Sequence, residues 1–347
     1  MMRRYAAAVL AANLLFGCTS QSSYEGPPSA HFDGERFFNE LSADKSIADI
    51  AVFASTYWIR RESWPKWVEN AAYPEAQAPG AGWVATYINH STVLLQSADA
   101  TILTDPIWAE RASPFSFIGP RRVRHAGMRI VDLPPLDAIV ISHDHYDHLD
   151  IEALLALRNH GRAGPPLVLV GLGNGALLAK HGISNYRELD WDETVTIGNT
   201  EIAFVEVRHR SGRGLRDQMS TLWGGFVMRN RSGQIYFAGD TGYGPHFRRA
   251  RERYGAFDLS LLPIGAYRPR SFMAPVHLDP AGAVQAHLDL DSRQSIAIHH
   301  GTFQLTYEPI EEPYRELNKA LDSARLDAAK FRVLGFGESI QINENRL

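Results

Sequence analysis

The chain has 347 residues, with 35 basic against 39 acidic side chains, a formal net charge of −4, and 45% apolar and 21% charged residues. That length is ample for a packed core in one large domain or two, and the composition is that of an ordinary folded enzyme and by itself identifies no function. A slightly acidic balance also argues against a general nucleic-acid binder, which carries a basic excess, so no nucleic-acid partner is expected.

The chain opens on a short basic stretch, Met1-Met2-Arg3-Arg4, followed by the largely apolar Tyr5 to Phe16 and then Gly17-Cys18. The apolar run is too short to span a bilayer comfortably and reads as an export segment, residues 1–17. Leu15-Phe16-Gly17-Cys18 resembles a bacterial lipoprotein cleavage box, although Phe16 is bulkier than the small residue usual there. That resemblance implies cleavage before Cys18 and attachment of lipid to it. Cys18 is the only cysteine, so no intrachain disulfide can form, and packing and metal must hold the fold. Residues 18–34 are rich in Ser, Gly and Pro from Thr19 to Asp33 and read as a lipidated, flexible tether. No other stretch approaches transmembrane length without charge. A lipid-anchored protein of the bacterial cell envelope is expected, and the absence of Asp at position 19 points to the periplasmic face of the outer membrane.

Residues 35–82 read as an N-terminal arm and connector. From Glu35 to Trp67 the pattern is helical in places, with Phe37, Phe38, Ile47, Ile50, Val52 and Phe53 offering apolar faces. Tyr57, Trp58, Trp64 and Trp67 cluster beside Arg60 and Arg61, as a packed arm or as a surface facing membrane or substrate. Ala71 to Gly82 is a Pro-, Ala- and Gly-rich connector. The predicted elements of residues 83–347 are those of an α/β catalytic domain. Val84–Ile88, Ser91–Leu95, Thr101–Thr104 and Leu136–Ile141 are strand candidates, the last nearly all apolar as in a strand covered on both faces. A helix is expected over Asp150–Arg158, a strand over Leu167–Val170 and a helix over Asn174–Lys180. Further strands fall at Thr194–Ile197, Glu201–Val207, Thr221–Met228, Gln234–Ala238, Ala256–Leu262 and Ser295–Ile298, with a helix at Pro280–Leu288. No clear sequence repeat appears.

The chemistry concentrates where apolar strands end. Ser142-His143-Asp144-His145-Tyr146-Asp147-His148 directly follows the run Leu136–Ile141. In extended backbone His143 and His145 point to one side, whereas Asp147 and His148 lie past a tight turn and can face a neighbouring centre. Imidazole nitrogen and carboxylate oxygen both suit zinc, so this one cluster can serve two ions. His209 follows the strand ending at Val207, Asp240 follows Ile235-Tyr236-Phe237-Ala238-Gly239, and His299 ends Ile296-Ala297-Ile298. Gly239 leaves room for close approach. Repeated placement of candidate ligands at strand ends favours one shared site.

Ser-His-Asp-His-Tyr-Asp-His-Leu-Asp at 142–150 resembles the signature of the metallo-β-lactamase superfamily. Leu103-Thr104-Asp105-Pro106, Arg111-Ala112-Ser113-Pro114, Phe237 to Tyr243, Leu262 to Arg270 and Ala297-Ile298-His299 further resemble N-acylphosphatidylethanolamine-hydrolysing phospholipase D, over about Trp83 to Ile340. The resemblance implies a four-layer αββα sandwich and two zinc ions. His143, His145 and His209 would hold one ion, Asp147, His148 and His299 the other, with Asp240 bridging. It also implies hydrolysis of a phospholipid phosphodiester, in which Asp147 and Asp240 serve through the metals and His277, in Pro275-Val276-His277-Leu278-Asp279-Pro280, contacts phosphate or moves a proton.

Arg208, Arg210, Arg213 and Arg216 bracket His209 and, with Arg268 and Arg270, are candidates for phosphate contact or for ordinary wet loops. Phe115, Phe117, Tyr267 and Phe272 are candidates for an acyl channel or for core. His300 stands where the phospholipase family has tryptophan, which would alter the polarity of an acyl pocket. Hydrolysis of a nucleotide diester, lactone or thioester and a zinc-stabilised envelope scaffold are the competing readings. The sequence leaves oligomerisation open.

Overall fold

The computed structural model describes residues 24–40, 47–73, 79–80, 82–214 and 216–342. The expected export segment and Cys18 lie outside the described residues. Strands β1 (Trp83–Asn89), β2 (Thr92–Gln96), β3 (Thr101–Thr104), β4 (Ala138–Val140), β5 (Leu167–Gly171) and β6 (Tyr186–Leu189) form one sheet with β14 (Ser339–Ile342), in the order β14-β1-β2-β3-β4-β5-β6. The second sheet holds β7 (Thr194–Ile197), β8 (Thr200–Val205), β9 (Gly225–Asn230), β10 (Gly233–Phe237), β11 (Leu259–Pro263), β12 (Gln294–Ile298) and β13 (Phe331–Arg332), in that order from β7 to β13. Both sheets run antiparallel across their first four strands and parallel across their last four. The chain therefore repeats one topology twice, although no repeat is legible in its residues.

The helices are α1 (Ile47–Arg60), α2 (Ile151–Leu157), α3 (Gly175–Lys180), α4 (His246–Tyr254), α5 (Arg270–Met273), α6 (Pro280–Asp289) and α7 (Glu312–Ala324). Strand alternation sorts the buried side chains into three layers of contact. Ala138 and Val140 of β4 meet Ile235 and Phe237 of β10 and Ile296 and Ile298 of β12 in a core between the sheets. The residues interleaved with them face outward. Ile139 and Ile141 pack with Leu154 and Leu157 of α2 and Leu177 and Leu178 of α3, while Tyr236, Ala238 and Ala297 pack with Phe247 of α4, Val284 of α6 and Leu317 of α7. Helix, sheet, sheet and helix make the four layers the resemblance implied, and the near-continuous apolar runs of β4, β10 and β12 are those of strands covered on both faces.

Several expectations are corrected. Residues from Tyr24 to Gly34 do not behave as a tether, since Phe32 is 1% exposed within the inter-sheet core; Phe37 of the expected arm is likewise 1% exposed there, and its amide donates to the Met219 carbonyl at 2.8 Å. The strand expected over Thr221–Met228 starts only at Gly225. The Leu222 amide donates instead to the Leu172 carbonyl and the Gly224 amide to the Ser142 carbonyl, tying this segment across both sheets. Helix α4 was not anticipated because its sequence His-Phe-Arg-Arg-Ala-Arg-Glu-Arg-Tyr buries only His246, Phe247 and Ala250, too few to show a period. Strand β14 pairs with β1 from the far end of the chain, so no local pattern announces it.

The packing of the arm has a measurable consequence. Phe37→Ala is expected to destabilise the chain by about 3–5 kcal/mol in denaturant unfolding, whereas Ile59→Ala on the exposed side of α1 should change it by no more than about 0.5 kcal/mol. Equal effects would show that the arm is not part of the core.

Candidate metal centre

The carboxyl ends of β1, β3, β4, β8, β10 and β12 lie along one edge of the sandwich, and the loops leaving them carry the titratable residues. After β4, the chain passes through 142–150 and enters α2, capped by Asp150, whose Oδ1 accepts the Ala153 amide at 3.1 Å. Asp105, after β3, is fully buried and accepts the Ser142 amide at 2.7 Å, the Ser142 hydroxyl at 2.6 Å and the Nδ1–H of His148 at 2.6 Å. Asp144 accepts the Gly212 amide at 2.7 Å and the Thr221 hydroxyl at 3.0 Å, which joins the first loop to the segment carrying His209. Arg213 donates to the carbonyls of Asp144 and Leu149 and lies 3.8 Å from the Tyr146 ring. Gly239 has φ +55, and a Cβ there would fall 2.4 Å from Ser142 Cβ, so only glycine lets Asp240 approach this loop.

The outcome is two adjoining groups of ligand atoms. His143 Nε2 and His209 Nε2 lie 2.7 and 3.3 Å from His145 Nδ1. Beside them, Asp147, His148 and His299 form a second group. Asp240 stands between: its Oδ2 is 3.1 Å from His299 Nε2, 3.2 Å from His148 Nε2 and 3.8 Å from His209 Nε2. Every residue assigned to metal from the sequence is brought here. The donor set suits a divalent metal such as zinc, because several ligand atoms are buried yet left without a hydrogen bond, among them His148 Nε2, His299 Nε2 and Asp240 Oδ1. Three of the rings are tied at their other nitrogen, His148 to Asp105, His143 Nδ1 to Ser142 Oγ at 2.9 Å and His209 Nδ1 to the Val276 carbonyl at 2.9 Å, whereas His299 Nδ1 has no hydrogen-bond partner among the described residues. Such contacts fix ring orientation toward a metal.

Electrostatics divides the cluster. Burial alone would raise Asp147 and Asp240, but the facing imidazoles override it and hold both carboxyls well below the usual carboxylate range. For His148 and His299 burial acts downward and is overridden by Asp240 and its neighbours, so His148 is raised well above the ordinary imidazole value and His299 to about 9. Burial dominates at His143, His145 and His209, pushing all three down, His145 to about 3. One group is thus neutral and ready to ligate, while the other holds protons that a metal must displace.

His277 lies at the same opening, its Nδ1 3.8 Å from Asp240 Oδ2 and its ring 5.2 Å from that of His209. Arg210 is within electrostatic reach, contributing to the depressed His145, and also donates to Gln218. The other substrate candidates are placed elsewhere. Arg208 alternates with His209 along an extended segment, so it leaves the other way, and donates to the Tyr243 carbonyl. His300 follows His299, whose φ of +58 takes the backbone out of the extended form: Nδ1 lies 3.1 Å from the Tyr314 hydroxyl, Nε2 lies 3.2 Å from the Ala297 carbonyl, and the ring stacks on Tyr87. It is buried and lines a small cavity together with His299, Gly265 and Phe303. Tyr267 donates to Glu312 at 2.5 Å and Arg268 pairs with the same carboxylate. Arg270 donates to the His277 carbonyl at 2.8 Å and pairs with Asp279, so it positions the loop of His277. Phe272 stacks on Phe53 of α1, and Phe117 is largely exposed beside Phe115.

Sequence reasoning missed His90 and Asn39 as parts of this centre, and it gave no role to Asp144 within the His/Asp loop or to Asp105 within Leu103-Thr104-Asp105-Pro106. Asn39 comes from the N-terminal arm: it donates to the Val207 carbonyl at 2.9 Å and accepts the His209 amide at 3.3 Å.

With this geometry in view, residues 100–300 match the family model of the beta-lactamase superfamily domain. An N-acyl-phosphatidylethanolamine-hydrolyzing phospholipase D from Caenorhabditis elegans is 39% identical over 272 residues, 74% of this chain and 75% of that protein. An uncharacterized protein from Mycobacterium tuberculosis is also 39% identical, over 249 residues; the match covers 70% of this chain but only 65% of the mycobacterial one. Among solved structures, an isothiocyanate hydrolase from Delia radicum gut bacteria shares the fold with a TM-score of 0.61 at 22% identity, covering 75% of this chain and 99% of that one.

Purified, dialysed protein is expected to retain about two transition-metal ions per chain by elemental analysis. Because His148 and His299 hold protons in the metal-free chain, apparent affinity should rise as pH increases from about 6 to about 9. Affinity independent of pH over that range would contradict the charge division described above.

Proposed function

The chain belongs to the beta-lactamase superfamily and is a metal-dependent hydrolase of that fold, and on that premise we propose that it is a two-zinc phosphodiester hydrolase that cleaves N-acylated phosphatidylethanolamine to phosphatidic acid and an N-acylethanolamine. The similarity to the C. elegans phospholipase over most of both chains carries this reading. His143, His145 and His209 would hold one ion and Asp147, His148 and His299 the other, with Asp240 shared. When bound, the ions supply positive charge and lower the proton affinity of water. Water's oxygen forms a bond to phosphorus, the bond from phosphorus to the ethanolamide oxygen breaks, and that oxygen leaves as the alcohol with a proton. Asp240, held by His148 and His299, fixes the centre of the site. His277, at the opening, donates a hydrogen bond to a phosphoryl oxygen, and Arg210 adds positive charge beside it.

Helix α1 supports a substrate that resides in a bilayer. Its inward side is fixed to the rim of the centre by Phe53, stacked on Phe272 at 4.8 Å and Tyr307 at 5.3 Å. Its outward side presents Ala48, Ala51, Val52, Ser55, Trp58 and Ile59, all exposed and all uncharged, with Val52 62% and Ile59 82% exposed. Arg60 and the half-buried Arg61, with the acidic Asp49 and Glu62, flank this face, so its apolar side chains rather than a basic excess carry the membrane reading. We read the face as docking on the bilayer, with lipid at Cys18 holding the chain there, on the periplasmic side of the outer membrane. No described helix is long and apolar enough to cross a membrane.

With N-acylated phosphatidylethanolamine in ¹⁸O-water, mass spectrometry should find the label in phosphatidic acid. His277→Ala should slow turnover by roughly 10²-fold with metal content kept. Label in the alcohol, or release of a fatty acid, overturns the reaction; rapid cleavage of a nucleotide diester with no lipid turnover favours the nucleotide phosphodiesterase reading.

For the helix, the pair Trp58→Ser and Ile59→Ser should weaken sedimentation with anionic phospholipid vesicles of a full-length Cys18→Ser chain by roughly tenfold or more, since each loses a large buried contact with lipid. Unchanged sedimentation would remove α1 from the membrane contact.

A further inference from the structure

We propose that His90 is a positioning residue for one half of the metal centre, orienting Asp147 as a ligand of the second ion; the inference rests on the two-ion reading above. His90 occupies the turn between β1 and β2 with φ +47, a left-handed conformation uncommon for a residue with a side chain. The surroundings over-determine it. Its amide donates to the Thr302 hydroxyl at 3.1 Å, while its carbonyl accepts the His299 amide at 2.7 Å and the Tyr87 hydroxyl at 3.2 Å. The turn is thereby bolted to the loop that carries His299.

The ring reaches the other way. His90 Nε2 lies 3.1 Å from Asp147 Oδ2, and the ring centroid is 4.1 Å from that of His299. One residue thus touches two ligands drawn from opposite halves of the fold, Asp147 through its side chain and His299 through its backbone. The candidate ligand groups that contain His90 include only Asp147, His148 and His299 with it, and none of His143, His145 or His209. A histidine kept only for packing would gain nothing from polarity here: the ring is buried and its Nδ1 makes no hydrogen bond. The Nε2–H, aimed at a carboxylate oxygen, does what outer contacts to metal ligands do. It selects one orientation of Asp147 before the ion arrives.

The test is zinc titration of the metal-free, full-length protein against a chromophoric chelator, comparing wild type, His90→Ala and His90→Asn. The backbone contacts to His299 and Thr302 survive either substitution. His90→Ala should leave one equivalent at wild-type affinity and weaken the other by roughly 10–100-fold. His90→Asn should recover part of that loss, because Asn tolerates left-handed backbone and retains an N–H donor. Should His90→Ala fail to fold by circular dichroism, His90→Asn carries the same comparison. Two unchanged affinities, or equal weakening of both, overturn the inference. Uptake of a single equivalent by wild type overturns the two-ion reading beneath it, and the wild-type curve alone reports this.

Discussion

Seven imidazoles and two carboxylates share one largely buried cluster, and groups of this kind can leave water only if they neutralise one another or a metal does so for them. Much of the surrounding structure meets that condition. Asp147 and Asp240 remain ionised in the interior because His148 and His299 face them. Those imidazoles stay charged for the same reason, and Asp105 holds His148 from behind. The arrangement is stable without metal only as a set of pairs. It is also poised for one, since displacing the protons leaves the same donors aimed at a common point.

Such a cluster demands that several chain segments arrive in fixed positions. The doubled topology supplies them: each sheet ends in a run of parallel strands, whose carboxyl ends emerge on the same edge. The first sheet delivers Asp105 and the 142–150 loop, and the second delivers His209, Asp240 and His299. Cross-links then set the loops relative to each other. Asp144 joins its loop to Gly212 and Thr221, the Gly224 amide reaches the Ser142 carbonyl, and the missing side chain at Gly239 lets Ser142 and Asp240 share the space.

The segment before the first strand is part of this machinery. Phe32 and Phe37 fill the inter-sheet core, Asn39 supports the backbone at His209, and α1 is stacked onto the rim that carries Phe272 and Tyr307. Access to the centre and the structure of its ligands are therefore coupled to the N-terminal arm. A chain held at a membrane by its N-terminus would present the opening and the uncharged face of α1 together.

Much was legible from the residues alone. The four-layer α/β architecture, the strands that bear the site and all seven metal-ligand candidates could be read because the ligands are strong local signals: a dense His/Asp loop and single titratable residues, each directly ending an apolar run. Other assignments needed alternation in three dimensions. Arg208 and His300 adjoin ligands in sequence, yet alternation on extended backbone sends Arg208 to the Tyr243 carbonyl, and the left-handed turn at His299 sends His300 into the core beside Tyr314. The tether expectation failed from Tyr24 onward because the isolated Phe32 in a polar stretch shows no period; only the sheets it packs between reveal it as core. His90 and Asn39 are ordinary polar residues until the fold carries them to Asp147 and His209. Sequence by itself determined which chemistry the chain can hold, since ligand type and placement at strand ends are local properties. The tertiary structure decided which neighbours serve it, because those contacts join segments from opposite halves of the chain.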